Sequence, residues 1–335
     1  MSGIADIFRD PAFSLTTLSE QVIERVDYMP TMLEDMGLFK PYPIRDKTFA
    51  IESIDRTLRV VETTARGSAP KERDRELRDL RTFRTVQLSE KSTIYYDELT
   101  GIRELGKADQ RKQVRSEIKE RLQQPKDDLA LTREHHRLGA LQGILLDADG
   151  TSVINNYYDD FGLTPPAAVT WNLSNVDLNI RQLSNTLKRS IGRSTKGARA
   201  TGYAALAGDE FYDALTTHPQ VERAYNFDRP ERLLTSTAWD SFVFGGIKFY
   251  NYRGTDDNST VAVDNDKAIV FPLGTNFMKE VMSPAHFEPY INTKGKREYV
   301  LPVHDMERKS YSSYEVYSYP LFINTRPDIV RTITL

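Results

Sequence analysis

LLDADGTSVINNYYDDFGL, residues 145–163, decides between two architectures. Asp147, Asp149 and Gly150 form an Asp-x-Asp-Gly turn, in which short acidic side chains cap their own backbone and glycine supplies positive φ. What precedes the turn settles how it is used. Residues 107–146 are strongly helical in composition, with Val114, Ile118 and Leu122 spaced by four and then Leu131, Leu138, Leu141 and Leu145. The opposite face is almost wholly charged, so simple amphipathic packing along a sheet or second lobe is expected, with a kink or break at Pro125. Residues 147–152 then read as the turn that ends the long helix. A doubly wound parallel sheet would instead place a buried strand directly before such a loop, near the start of the chain. Here 146 residues precede Asp147 and the run-in is helical. The expected class is α+β.

Upstream, over residues 48–98, the pattern has period two. Leu58 and Val60 alternate with Thr57, Arg59 and Val61, and Val86 and Leu88 with Thr85, Gln87 and Ser89, which predicts a long hairpin. Its tip, ARGSAPKERDRELRDLR (65–81), opens on Gly67 and Pro70 and carries dense mixed charge. One reading is a solvated loop. The other is an arm reaching another subunit, where Arg66, Lys71, Glu72, Arg73, Asp74, Arg75, Arg78 and Asp79 pair across an interface and set register more than affinity. Seven basic against four acidic side chains over 66–84 are too mixed for a nucleic-acid stripe. Before the hairpin, Pro11, Pro30, Pro41 and Pro43 interrupt regular structure, so an extended arm with at most short helices is expected. Phe8, Phe13, Leu33, Met36, Leu38 and Phe39 would then be covered by something else, a neighbouring subunit being one candidate.

Downstream, Ser174 with Asp177 resembles a capping box, and Val176, Ile180, Leu183, Leu187 and Ile191 follow at helical spacing. A further helix should begin near Asp209 and bury Phe211 and Leu215, with a short one after Pro219. In SFVFGGIKFYNYRG (241–254), Gly245 and Gly246 separate two apolar and aromatic runs, a two-residue hairpin signal. At the end, Ile329, Ile333 and Leu335 share a face with Arg331, while Val330, Thr332 and Thr334 take the other, so the chain should close on a strand.

Bulk properties bound the function. With 39% apolar, 28% charged and 10% aromatic residues the chain is neither disordered nor membranous in composition. Its N-terminus lacks the basic flank and apolar run of an export signal. Zero cysteines exclude disulfides and thiolate-bound zinc. A net charge of −3 gives no overall attraction to phosphate and disfavours a sequence-reading DNA binder.

One enzyme-like signal exists. GILLDADGTS (143–152) matches the nucleophile loop of haloacid-dehalogenase-type phosphatases, with Asp147 as nucleophile and Asp149 as acid. Gly208, Asp209 and Asp213 match the magnesium motif of that class, and Lys196 lies upstream. The helical run-in and the plain turn chemistry argue against it. Gly192 and Gly197 have Walker separation, but Ala198 and Arg199 stand where Lys and Ser or Thr are needed. His135 and His136 are adjacent on a helix and diverge, and His218, His286 and His304 lack partners at metal-ligand spacing, so no metal and no cofactor are expected.

Taken in order, the blocks 145–163, ALAGDEFYDALTTHPQVERAY (205–225), FVFGGIKFYNYRG (242–254), AIVFPLGTNFMKEVMSPAHFEPYINTKGKREYV (268–300) and YSYPLFINTRPDIVRTITL (317–335) resemble the lambda-type major coat protein family of tailed phages. The resemblance implies the Hong Kong 97-type fold, α+β, with an N-terminal arm (1–46), an extended hairpin loop (47–104), a peripheral lobe with a long spine helix (105–195), an axial lobe (196–300) and return strands to the peripheral lobe (301–335). It implies a structural, non-enzymatic protein that self-assembles into the icosahedral head shell around double-stranded DNA, located in the virion and assembled in the host bacterial cytoplasm. The implied partners are copies of itself in hexamers and pentamers and a separate scaffolding protein, since the N-terminal region is too short for a fused one. Decoration protein, portal, prohead protease and weakly held DNA complete the set, and no membrane is involved. Cross-linking of subunits would need a loop lysine such as Lys71 and is not expected. The alternatives are the Asp147/Asp149 phosphatase and a head-completion or tail component.

Overall fold

The computed structural model describes residues 31–54, 78–95, 107–195, 197–228, 241–255, 260–308 and 310–335. In chain order the elements are α1 (Met32–Asp35), β1 (Lys40–Pro43), β2 (Thr48–Ile54), β3 (Arg78–Arg84), β4 (Leu88–Tyr95), α2 (Lys107–Gln142), β5 (Ile144–Leu146), β6 (Val153–Asn156), α3 (Tyr157–Phe161), β7 (Val169–Thr170) and α4 (Ile180–Ser194). Then follow β8 (Gly202–Ala207), α5 (Asp209–Thr216), α6 (Pro219–Asp228), β9 (Phe242–Phe244), β10 (Ile247–Asn251), β11 (Lys267–Leu273), β12 (Met278–Met282), β13 (Tyr299–His304), β14 (Tyr311–Ser318), β15 (Pro320–Asn324) and β16 (Arg331–Thr334).

A six-stranded mixed sheet, β7-β16-β11-β8-β10-β9, is built on two apolar central strands. Ala204 to Ala207 of β8 and Ala268 to Phe271 of β11 are buried on both faces, as an uninterrupted apolar run in a covered sheet requires. The predicted hairpin is present. β9 and β10 pair antiparallel around Gly245 and Gly246, whose φ values of 59° and 78° suit a two-residue turn that matches strand twist. The helices expected at Asp209 and Pro219 are α5 and α6, and Phe211 and Leu215 are buried as predicted.

A second group of strands lies along α2. β13-β14-β4 is fully antiparallel, and β1-β12-β15 joins β1 parallel to β12. The helix packs against β4, β14, β15 and β5. It runs through Pro125 as one helix, so the chain is not broken there. After Gly143 the chain enters β5, not a turn, and residues 147–152 connect β5 to its antiparallel partner β6. The run-in to Asp147 is therefore a short strand and not helix, though a strand in a two-stranded ribbon and not in a parallel sheet.

Four other expectations change. Leu33, Leu38 and Phe39 are not left for a neighbour: they enter the chain's own core, with Phe39 edge-on to Phe322 at 5.6 Å. Phe8 and Phe13 lie outside the described residues. The cap of α4 is Asn179, whose side-chain oxygen accepts from the Gln182 amide at 3.0 Å, and Val176 is exposed before the helix begins. Ile329 sits in a single turn of 3-10 helix, and Ile329 and Val330 are both buried, so the face alternation read from the last residues starts only at β16. Finally, β16 pairs antiparallel with β11 inside the six-stranded sheet, while β12, from the segment read as axial, pairs with β15 beside α2. The linear division at residues 300 and 301 does not follow the strand pairing, because hydrogen-bonded neighbours come from distant parts of the chain.

Candidate assembly hairpin and buried ionic network

Among the described residues β2 and β3 pair only with each other, in register from Thr48 opposite Arg84 to Ile54 opposite Arg78. The root of this ribbon is clamped. Phe49 and Phe83 face each other in register and are both buried. Phe83 packs on Tyr157 at 6.1 Å and Phe161 at 5.7 Å, Phe49 on Tyr42 at 5.2 Å, and Lys279 lies over both the Tyr42 and Phe49 rings. On the ribbon face opposite Phe83, Leu80, paired with Glu52, is 67% exposed. Of the charged residues singled out for contact, Arg78 and Asp79 are the outermost described positions of β3, opposite Ile54 and Ser53. They are strand and not loop tip. Arg66, Lys71, Glu72, Arg73, Asp74 and Arg75 lie outside the described residues.

The helix face read as solvated is partly buried. Lys126, Arg133 and Arg137 recur at intervals of seven and four, which sets them on one stripe of α2, next to the apolar stripe of Leu122, Leu129 and Ala140. Glu298, just before β13, meets Arg133 at 2.6 Å and Lys126 at 3.6 Å. Arg137 lies at 3.1 Å from Glu34, 3.2 Å from Glu134 and 3.4 Å from Glu280, with its guanidinium over the Phe322 ring. Arg297 closes the network, 2.5 Å from Glu34 and 3.6 Å from Glu280. The Leu33 amide donates to Glu134 at 2.7 Å. Lys126, Arg133, Arg137 and Arg297 thus face Glu34, Glu134, Glu280 and Glu298, which ties α1, α2, β12 and the approach to β13 together.

Burial shifts these groups. It raises the Glu134 carboxyl to about 7, with Arg137 and the Leu33 amide pulling the other way. Burial lowers Arg133 and Lys126, opposed by Glu298. Burial alone would raise Glu298, but Arg133, Lys126 and Arg297 outweigh it and hold the carboxylate below its usual range. On the same helix His136 is 1% exposed, with neither ring nitrogen hydrogen-bonded among the described residues, and burial followed by His135 lowers it to about 4. Sequence reading missed this network.

The enzyme-like motif is used up structurally. Asp149 accepts from the Thr151 amide at 3.0 Å, the Ser152 amide at 2.8 Å and the Ser152 hydroxyl at 2.5 Å, with the hydroxyl first among the causes that hold its carboxyl at about 2. Asp147 accepts from the Ala148 amide. Gly208, N-cap of α5, is required by close approach: a Cβ there would stand 2.3 Å from the Asp264 carbonyl oxygen. Among the described residues no cluster of three His, Asp or Glu side chains could hold a metal, and Lys196 is not among them.

A family described as Phage major capsid protein E matches residues 14–335. The chain belongs to this family. It is similar to the major capsid protein of Salmonella phage Felix O1, at 25% identity over 89% of this chain and 90% of the other. The major capsid protein of Pseudomonas phage KPP10 is 24% identical over 86% and 87%. In fold it is similar to the cyanophage Pam1 capsid subunit, with a TM-score of 0.55 at 11% identity, covering 96% of this chain and 98% of that one. The fold is thus the Hong Kong 97-type capsid fold. As a phage major capsid protein the chain is a structural component of the virion shell and not an enzyme, which sets aside both the phosphatase and the head-completion alternatives.

Proposed function

We propose that this capsid protein closes its shell through the β2–β3 hairpin, which reaches from its clamped root onto a neighbouring subunit. The observation that carries this is the ribbon itself: two strands with no further sheet partner among the described residues, held at Phe49 and Phe83, with Leu80 on the other face 67% exposed. An isolated two-stranded ribbon is marginal in water and gains stability when another surface covers it. Arg66, Lys71, Glu72, Arg73, Asp74, Arg75, Arg78 and Asp79 supply mixed charge that fixes register on the neighbour.

In this reading the six-stranded sheet with α4, α5 and α6 forms the axial lobe of hexamers and pentamers, and α2 with its flanking sheets forms the peripheral lobe. Residues 1–46 act as the arm. Heterologous contacts repeated around five- and six-fold axes close the shell, and each contact is individually weak because several act together. Assembly takes place in the host cytoplasm with a separate scaffolding protein, and the shell meets portal, protease and decoration proteins afterwards.

The test is charge reversal at Arg73, Arg75 and Arg78 together, expressed with the scaffold. Sedimentation should show loss of shells while circular dichroism shows an unchanged fold. Normal shells from the triple variant would overturn the role of the hairpin.

A further inference from the structure

From residue 178 to 208 the chain carries Arg181, Lys188, Arg189, Arg193, Lys196 and Arg199 and no acidic residue, in a sequence of 45 basic and 48 acidic residues overall. Even mixing would place roughly four acids in that span. The structure turns this bias into a face. On α4, Ile180, Ser184, Leu187 and Ile191 are buried, while Arg181, Arg189 and Arg193 are exposed. At 100° per residue those three arginines occupy an arc of roughly 120° directed away from the buried stripe, over a length of roughly 18 Å. Gln182, Asn185 and Gly192 fill the arc between them. Lys188 is drawn aside and donates to the Gly245 carbonyl at 2.6 Å. Among the described residues Arg181, Arg189 and Arg193 form no ion pair.

We infer that this face of α4 is a phosphate-contacting surface for double-stranded DNA, and that it lines the inside of the shell. Two features favour DNA over a protein partner. Protein interfaces centre on buried aromatic or aliphatic anchors, and no large apolar side chain is exposed between Val176 and Val243 among the described residues. Nucleic-acid contacts need no such anchor: they rest on guanidinium groups against phosphates, and a duplex presents roughly ten phosphates over this length. A local stripe on a chain with net charge −3 also sets the strength. Few phosphates are neutralised per subunit, so each contact is weak and salt-labile and packaged DNA stays free to move. The inference rests on the reading of the chain as a shell around DNA.

The experiment compares full-length protein with R181Q/R189Q/R193Q by fluorescence anisotropy on a mixed-sequence duplex of about 30 base pairs, across a salt series. Neutralising three phosphate contacts should flatten the slope of log affinity against log salt by roughly 2.7 and weaken binding at low salt by tenfold or more. The charge-retaining R181K/R189K/R193K should keep the wild-type slope. If the triple glutamine variant fails by circular dichroism, R189Q alone should still flatten the slope by roughly 0.9. Unchanged slopes, or no DNA binding by the wild type, would overturn the inference, as would a variant that binds DNA normally but no longer forms shells, which would assign the face to a second copy of this chain. Shells lost from the wild type itself would instead count against the proposed function.

Discussion

Arg137, in the middle of the longest helix, and Glu34, in the short helix that precedes the first strand, meet at 3.1 Å with the guanidinium 1% exposed. A charge buried so deeply is tolerated because Glu134 and Glu280 also face it, and because Arg297 neutralises the excess carboxylate. The consequence is mechanical. The segment leading into β1 cannot leave α2 without exposing or orphaning several charges at once.

Arg137→Ala should accordingly destabilise the folded subunit by about 3–5 kcal/mol, the cost of leaving buried carboxylates uncompensated. Urea denaturation checks this. A loss under 1 kcal/mol would mean that water reaches the network and screens it.

The pH dependence has two opposed sources. Glu134 is raised from 4.5 to about 7 in the fold, so its contribution is complete below pH 4.5 and is lost as pH rises through 7. His136 is lowered from 6.5 to about 4, so its contribution is complete above pH 6.5 and is lost as pH falls through 4. Between these limits they offset each other. Glu134→Gln should therefore leave stability rising with pH between 4.5 and 6.5, and His136→Leu should leave it falling. Denaturation midpoints measured at several pH values decide, and parallel profiles for both variants and the wild type would refute the assignment.

At the hairpin, root and outer strand should separate cleanly. Phe83→Ala removes the ring that packs on Tyr157 and Phe161 and should cost about 3–5 kcal/mol of folding stability. Leu80→Asp, at a position 67% exposed, should change stability by less than about 0.5 kcal/mol yet reduce shell yield in sedimentation. Full shell yield from Leu80→Asp would place the inter-subunit contact elsewhere.

Deleting residues 329–335 removes β16, which stands between β7 and β11, and takes away the Thr334 carbonyl that accepts from the Trp171 amide. The truncated chain should be insoluble, because a central strand is lost and an apolar edge is opened. Soluble, assembling protein would show that the sheet tolerates the gap.

Where neighbouring residues decide a structure, the sequence was enough. Gly245 and Gly246 between apolar runs specify a tight turn wherever they are placed, and Phe211 with Leu215 after Asp209 specifies a short buried helix. The Asp147 to Ser152 turn is likewise local, since Asp149 satisfies amides only two and three residues on. The mixed charge of the hairpin tip suggested contact, but residues 55–77 lie outside the described residues.

Partners distant in sequence set the rest. Arg133 and Glu298 are 165 residues apart, and nothing within a helical window separates a charge destined for burial from one destined for solvent. Leu33 and Phe39 looked uncovered because the surface that covers them, on α2 and β15, is more than 90 residues further along the chain. The end of the chain shows the same division. Alternating residues are sufficient to predict that 331–334 is a strand, whereas its place beside β11 follows from which open sheet edge the folded core leaves in reach. Local backbone preference and hydrophobic period are properties of the sequence itself, while burial of charge and choice of strand partner are decided by desolvation and packing, which exist only once the tertiary structure has formed.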